Sequence, residues 1–255
     1  MNVFDLHGKV AIVTGGNGGI GLGIARGLAQ CGANIAVAAR NAEKTASAVK
    51  ELEGCGVRSV ALTVDVSDFE QAKQMVADTV SALGGVDILI ANAGVNIRNR
   101  PEEYSPEDWR KIVDTNLTGV FACSQAVHPE LKRRDGGKIV TIGSMASIFG
   151  FDSATIYAAT KGGVVQLTKS LASAWARDNI QVNCILPGWI DTELTRNTRR
   201  LRPELHDNVL SRTPSKRWGT PEDLAGAAIF YCSPASDFVT GTALPVDGGF
   251  SSSMF

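Results

Sequence analysis

The chain reads Val10-Ala-Ile-Val-Thr14-Gly15-Gly-Asn-Gly-Gly-Ile-Gly21 over one short segment. Its β-branched first half predicts a buried strand, and apolar residues at Ile24 and Leu28 predict a helix after the glycines. Strand, glycine loop and helix are the context of a phosphate-binding turn, because glycines let a pyrophosphate approach the backbone and the helix N-terminus offers unpaired N–H groups. A tight turn without a ligand uses the same residues. In this context, however, the segment predicts a dinucleotide-binding loop in an α/β protein.

Apolar and amphipathic segments alternate along the rest of the chain. They predict further strands at 34–39, 57–64, 86–91, 138–142, 181–186 and 243–246, with helices between them. No repeat, low-complexity segment or linker divides the sequence, so we predict a single domain over residues 1–255. The segment 193–217 is rich in Arg, Thr and Pro and has little periodicity. It predicts a long irregular substrate loop at about 188–217, past the end of a strand.

A second motif, Ser144 with Tyr157-x-x-x-Lys161, carries the candidate chemistry. Ser144 follows the predicted strand 138–142, where open α/β sheets bind their ligands. Tyr157 and Lys161 are four residues apart on a predicted helix and therefore share one face. A free phenol titrates near pH 10, but a neighbouring ammonium favours the phenolate. A serine hydroxyl opposite would hold a substrate oxygen while the phenol gives or takes a proton. The alternative is a surface tyrosine and lysine on an ordinary helix.

Two further polar features stand out by position. Arg40, followed by Asn41, comes directly after strand 34–39, where NAD-binding proteins commonly carry an acidic residue for the ribose hydroxyls. A guanidinium there suits a 2′-phosphate, and the alternative is a solvated arginine that opens the next helix. Asn116 interrupts an apolar helical stripe. Because a buried amide requires a partner, we treat it as a functional candidate.

Composition narrows the class of protein. A hydrophobic content of 44% and a formal net charge of −1 predict a soluble globular protein and give no indication of nucleic-acid or membrane-surface binding. No apolar run is long enough to span a bilayer, and no signal peptide is visible. The five cysteines are scattered without metal-ligand spacing. We therefore expect reduced thiols in a cytoplasmic protein and no metal site.

Taken together, these motifs resemble the short-chain dehydrogenase/reductase family. The family's order and spacing are matched over nearly the whole chain by Thr14-Gly15-x-x-x-Gly19-x-Gly21, Asn92-Ala-Gly94, Asn116, Ser144, Tyr157-x-x-x-Lys161 and Pro187-Gly188. The resemblance implies a single Rossmann-like domain with about seven parallel strands and helices on both faces. It also implies a nicotinamide cofactor and a homotetramer.

The resemblance further implies roles for the residues at the family's positions. Tyr157 would be the general acid/base, and Lys161 would favour its phenolate and hold the nicotinamide ribose. Ser144 would orient the substrate oxygen, and Asn116 would hold a water that relays protons to Lys161. The cofactor would contact Gly15, Asn17, Gly18, Gly19, Ile20, Gly21, Arg40, Asn41, Asp65, Val66, Asn92, Ala93, Gly94, Tyr157, Lys161, Pro187, Gly188, Ile190 and Thr192.

Preferences for cofactor and substrate are predicted from fewer residues. Gly18 stands where many NADP-using members place a basic residue, which leaves Arg40 as the only evident partner of a 2′-phosphate. We expect NADP, with NAD as the alternative. Arg98 lies just past strand 86–91, in a segment similar to that of gluconate 5-dehydrogenases and related sugar-acid dehydrogenases. There it would bind a carboxylate, or else be a solvated loop residue. The expected substrate contacts are Ser144, Tyr157, Arg98 and Trp189.

We therefore predict an enzyme that transfers a hydride between NADP(H) and a secondary alcohol or ketone, with sugar acids or polyols as substrates. Reduction of 3-oxoacyl thioesters, which acyl-carrier-protein ketoreductases of the family carry out, and reduction of cyclic ketones are alternatives. A non-catalytic dinucleotide-binding sensor is an alternative of another class. Such a sensor would not need Tyr157 near Ser144.

Overall fold

Seven parallel strands form one sheet in the computed structural model, which describes residues 2–252. The strands are β1 (Val10–Thr14), β2 (Asn34–Ala39), β3 (Ser59–Thr63), β4 (Ile88–Ala91), β5 (Gly137–Ile142), β6 (Ile180–Pro187) and β7 (Ala243–Val246). Their order in the sheet is β3-β2-β1-β4-β5-β6-β7, and each neighbouring pair is parallel. The order reverses between β1 and β4, which opens a crevice at the carboxyl ends of the strands.

Helices cover both faces of this sheet. They are α1 (Gly19–Gln30), α2 (Ala42–Glu53), α3 (Phe69–Leu83), α4 (Pro106–Val113), α5 (Gly119–Arg133), α6 (Thr155–Trp175), α7 (Glu193–Leu201), α8 (Leu205–Arg212) and α9 (Ala225–Cys232). Side chains alternate along each strand, so Ala11 and Val13 join a core with α1, α2 and α9. Val10 and Ile12 face the other core, with α3, α5 and α6. The predicted Rossmann-like fold with helices on both faces is confirmed.

The connection from β4 to β5 contains a break in helical geometry. Ser105 caps α4 by accepting a hydrogen bond from the N–H of Asp108 at 3.1 Å, as its sequence position predicts. Between α4 and α5 the chain makes one π-helical turn, Asp114–Thr118. Such turns insert an extra residue into a helix and often occur at functional sites. This turn contains Asn116, the polar residue in the otherwise apolar stripe.

The prediction of an irregular segment at 193–217 is wrong in part, because α7 and α8 lie there. Thr192 caps α7 with its hydroxyl, and the hydroxyl of Thr195 donates to the carbonyl of Ile190 at 2.7 Å. Val209 is the buried residue of α8. α7 has no buried residue and α8 has one, which is why the sequence shows no apolar stripe there. Within the described chain, no helix has the length and hydrophobicity that crossing a bilayer requires.

Candidate active site

A cleft of about 610 Å³ lies at the carboxyl ends of the strands, across the switch between β1 and β4. It is lined by Ser144 and by every residue of the predicted cofactor set except Gly21. Open parallel sheets bind their ligands at this position. Motifs that are spread over the sequence from Gly15 to Thr192 therefore meet in one cavity.

The glycine loop forms the wall of the cleft at the start of α1. Gly15 has a φ of +62°, which side-chain-bearing residues rarely adopt. Gly21 packs behind the loop, where a Cβ would lie 2.3 Å from the carbonyl oxygen of Gly15. α1 begins at Gly19 without a side-chain cap and without an acidic residue in its first turn, so its first N–H groups are free to bind an anion. The loop therefore fits the pyrophosphate of a dinucleotide.

Asn92 joins the two strands at the switch point. Its Nδ2 donates to the carbonyl oxygens of Thr14 at 2.9 Å and Gly15 at 3.2 Å. The Thr14 hydroxyl in turn accepts from the N–H groups of Asn92 at 3.0 Å and Ala93 at 3.1 Å. The ends of β1 and β4 are thereby held together, and the small residues Ala93 and Gly94 line the cleft beside them.

Arg40, Asn41 and Asp65 line the end of the cleft beyond β2 and β3. Asn41 caps α2 by accepting from the N–H of Lys44 at 2.8 Å. Asp65 accepts from the hydroxyl of Ser67 at 2.6 Å and from its N–H at 3.0 Å. The hydroxyl contact is the main cause that lowers the pKa of Asp65, and the charge of Arg40 acts in the same direction. This end of the cleft therefore combines an exposed guanidinium with a carboxylate that stays ionised.

Ser144, Tyr157 and Lys161 meet at the opposite end of the cleft. The Ser144 hydroxyl oxygen caps a short helical turn by accepting from the N–H of Ala146 at 3.1 Å. Lys161 is buried, and its Nζ donates to the carbonyl of Ile142 at 2.7 Å. The same Nζ lies 5.7 Å from the centroid of the Tyr157 ring. A hydroxyl, a phenol and an ammonium therefore line one wall, as proton transfer to a bound oxygen requires.

Asn116 lies behind this group and does not line the cleft. Its side chain is fully buried. Oδ1 accepts from the N–H of Val95 at 2.7 Å, and Nδ2 donates to the carbonyl of Val95 at 2.8 Å. A Cβ on Gly94 would lie 3.3 Å from Asn116 Oδ1 and 3.7 Å from Lys161 Nζ, so both polar atoms lie close to Gly94. The amide positions the backbone after β4. Its predicted role in holding a water stays a prediction.

Arg98 and Trp189, both predicted to contact the substrate, do not line this cleft but pack on each other near Tyr157. The Arg98 guanidinium lies 5.9 Å from the centroid of the Trp189 ring, and Trp189 makes an edge contact with Trp218. Burial lowers the pKa of Arg98, and the positive charge of Arg202 lowers it further. The Tyr157 side chain is close enough to raise the pKa of Arg98. Arg98 is thus half-buried on an aromatic side chain and faces the phenol.

Arg202, which follows α7, brings a second positive charge close to Arg98. Two other arginines of α7, Arg196 and Arg199, pair with Asp191. Neither Arg98 nor Arg202 forms an ion pair with a carboxylate among residues 2–252. The carboxylate of Asp152 raises the pKa of Arg98, but more weakly than Arg202 lowers it. Two neighbouring guanidinium groups near the phenol therefore carry positive charge that is not fully compensated. An anionic group of a ligand would compensate both charges.

Comparison with known proteins identifies the family. A family model described as enoyl-(acyl carrier protein) reductase matches residues 15–251. The chain belongs to the short-chain dehydrogenase/reductase family. The predicted resemblance and the prediction of an oxidoreductase acting on CH–OH groups are thereby confirmed. The alternative of a non-catalytic sensor has no support.

Relatives in this family act on different alcohols and ketones. The chain is 41% identical over 253 residues to gluconate 5-dehydrogenase of Gluconobacter oxydans, covering 99% of this chain and 98% of the relative. It is 40% identical over 248 residues to a tropinone reductase homolog of Arabidopsis thaliana, covering 97% and 94%. The crystal structure of a gluconate 5-dehydrogenase from Burkholderia cenocepacia, in complex with NADP and tartrate, superposes with a TM-score of 0.95 at 40% identity and covers 99% of each chain.

Two cationic residues of the site were missed in the sequence analysis. Lys44 lines the cleft together with Arg40, so this cleft has a cation in addition to the one that was evident from the sequence. The position of Lys44 four residues after Arg40, at a helix start, is a signal that could have found it. No local pattern marks Arg202. Groups of His, Cys, Asp or Glu suited to a metal ion do not occur among residues 2–252.

Proposed function

We propose that this member of the family transfers a hydride between NADP(H) and the secondary alcohol or ketone of a sugar acid. The observation that carries the proposal is the pair Arg98 and Arg202 near Tyr157, because the carboxylate of Asp152 acts on Arg98 more weakly than the positive charge of Arg202 does. A sugar carboxylate would supply the missing charge. Gluconate 5-dehydrogenase of Gluconobacter oxydans, at 41% identity, supports the same substrate class.

The reaction assigns one task to each residue of the catalytic wall. Tyr157 exchanges a proton with the substrate oxygen, and the Ser144 hydroxyl orients that oxygen. Lys161 lies beside this phenol, with its Nζ 5.7 Å from the ring centroid. It also holds the nicotinamide ribose. The dinucleotide, when bound, accepts or supplies the hydride.

Asn116 has a positioning task in this proposal. Its amide forms hydrogen bonds with the N–H and the carbonyl of Val95, and Asn116 does not line the cleft. The segment that leads to Arg98 is thereby kept in one conformation. A water held at the π-helical turn would connect Asn116 to Lys161 for proton relay.

The cofactor in this proposal is NADP. The glycine loop fits the pyrophosphate, since α1 begins there without a side-chain cap and without an acidic residue in its first turn. Arg40 is exposed at the end of β2, in the position of the adenosine ribose in this fold. No acidic residue follows β2 that would bind the 2′-hydroxyl or repel a phosphate. Asp65 and Val66 would contact the adenine, and Pro187, Gly188, Ile190 and Thr192 the nicotinamide.

A panel of ketones tests the substrate class. We expect the highest kcat/KM with a keto-sugar acid such as 5-keto-D-gluconate and NADPH, and lower values with the uncharged keto-sugar of similar size. A tropinone-like cyclic ketone is the second candidate, because a tropinone reductase homolog is 40% identical. A 3-oxoacyl thioester is the third. A higher kcat/KM for a cyclic ketone or a thioester than for every sugar acid would contradict the proposal.

We also propose a cytoplasmic homotetramer. The five cysteines are free, as reduced thiols in the cytoplasm are. Large apolar side chains such as Trp109 and Phe238 are exposed on the single chain, and assembly would cover them. Light scattering after size-exclusion chromatography measures the mass directly. The mass of a monomer at micromolar concentration would contradict the tetramer.

A further inference from the structure

Lys44, on one side of the cofactor cleft, forms an ion pair with a residue on the other side. It lies in the first turn of α2, and its Nζ donates to Glu193 Oε2 at 2.9 Å. Glu193 begins α7, on the opposite side. Both residues line the cleft. The carboxylate of Glu193 therefore extends into the part of the cleft where the phosphates of a dinucleotide would bind.

The Lys44 ammonium lies against the glycine loop. A Cβ on Gly18 would lie 3.1 Å from both Cε and Nζ of Lys44. Arg40 and Asn41 line the same end of the cleft. The ammonium therefore lies over Gly18, in the cleft that Arg40 also lines. Many family members that use NADP carry a basic residue in the loop itself, and here Lys44 brings a cation over Gly18 from the neighbouring helix.

We propose that Lys44 is a second specificity-determining residue for the 2′-phosphate of NADP(H), and that Glu193 occupies it until the cofactor binds. This inference rests on the proposed NADP preference. It adds that the Glu193 carboxylate and the 2′-phosphate compete for Lys44. The Glu193 carboxylate stands in for the phosphate, and the phosphate displaces it from Lys44. Phosphate is the stronger partner because it has more negative charge and three acceptor oxygens.

The exposure of the pair makes this exchange feasible. The side chains of Lys44 and Glu193 are 48% and 76% exposed, and such surface pairs contribute little to stability. The ammonium lowers the pKa of Glu193, so the carboxylate is ionised at neutral pH and competes there. Removing the carboxylate should therefore free Lys44 for the cofactor.

Binding of NADP⁺ and NAD⁺ tests the proposal without turnover. Calorimetry gives the Kd of both cofactors for the wild type and for Lys44→Met, Glu193→Gln and the double variant. We expect Lys44→Met to weaken NADP⁺ about tenfold and NAD⁺ by less than about twofold. Glu193→Gln should tighten NADP⁺ by about two- to fivefold. Lys50→Met, an exposed lysine in the last turn of the same helix, is the matched control.

The double variant separates competition from a general effect of charge. In the Lys44→Met background, Glu193→Gln should no longer tighten NADP⁺, because the residue for which it competes is absent. Equal weakening of both cofactors by Lys44→Met would overturn the proposal, since the lysine would then contact the shared pyrophosphate. The proposal would also be overturned if Lys44→Met left the ratio of the two Kd values unchanged. The same holds if Glu193→Gln still tightened NADP⁺ binding in the Lys44→Met background. If the wild type binds NAD⁺ more tightly than NADP⁺, the proposed cofactor preference fails instead.

Discussion

At the scale of single residues, the proposed preferences for cofactor and substrate depend on two arginines. Arg40 lies near the ionised Asp65, and Arg98 lies on Trp189 beside Tyr157. One guanidinium is exposed at the cofactor end, and the other is half-buried at the substrate end. Both are forked donors that match phosphate and carboxylate oxygens. They make cofactor and substrate preference separable by mutation.

Substitution of Arg40 tests cofactor preference. Arg40→Asp should reduce kcat/KM for NADPH about tenfold or more, because a charge-assisted hydrogen bond is replaced by repulsion. It should raise kcat/KM for NADH, because the new carboxylate binds the ribose hydroxyls. Both cofactors are measured with one saturating ketone. A wild type that prefers NADH, or a ratio that the substitution leaves unchanged, would mean that Arg40 is only a solvated residue at the start of α2.

Substitution of Arg98 and Arg202 tests the carboxylate site. Arg98→Ala should raise KM for a keto-sugar acid about tenfold and change KM for the matched uncharged keto-sugar much less. Arg202→Ala should act in the same direction, because its charge reaches Arg98. Arg200→Ala is the control, as this arginine of α7 is exposed. Equal effects on charged and uncharged substrates would remove the argument for a sugar acid.

At the scale of secondary-structure elements, buried polar groups hold the strands at the switch point in register. Asp87, just before β4, accepts from the N–H of Val10 at 2.9 Å. It also accepts from Arg134, at the end of α5, with Nη2 at 3.0 Å and Nε at 3.1 Å. One buried carboxylate therefore joins β1, β4 and α5 at the edge of the sheet opposite the cleft.

Loss of this carboxylate should destabilise the fold and leave the chemistry intact. Asp87→Ala should lower the free energy of unfolding by about 2–3 kcal/mol, because it leaves the N–H of Val10 unpaired. Glu102→Ala removes an exposed pair with Arg100 and should change stability by less than about 0.5 kcal/mol. Urea unfolding at fixed protein concentration measures both. A stability loss no larger for Asp87→Ala than for the control would contradict the role of Asp87.

At the scale of the whole molecule, the cleft forms because parallel topology brings distant strand ends to one edge. This explains which features the sequence could predict. The strand–loop–helix at Gly15 and the pair Tyr157 and Lys161 are local, so their spacing alone carries the information. The alternation of strand and helix patterns from β2 through β7 is also visible in the sequence, and it predicts the parallel sheet.

Features that depend on distant contacts could not be predicted from local patterns. The ion pair of Lys44 with Glu193 joins residues 149 positions apart. Arg202 and Arg98 are also far apart in the sequence, and only the folded chain brings their charges close to each other. α7 and α8 were predicted as irregular because almost none of their side chains is buried. The polarity of Asn116 marked it as a candidate in the sequence. Its hydrogen bond with Val95 could not be predicted, because it depends on the π-helical turn that contains Asn116.

The central claim is that Tyr157 exchanges the proton while the cleft holds NADP(H) and a sugar acid. Its most direct test is the rate of NADPH oxidation by 5-keto-D-gluconate in Tyr157→Phe. The same change in Tyr231→Phe is the control, since that hydroxyl lies outside the cleft and contacts Thr242. We expect a rate loss of about 10²–10⁴ for Tyr157→Phe, with the Kd for NADPH nearly unchanged and the control near the wild-type rate. A near-normal rate in Tyr157→Phe would contradict it.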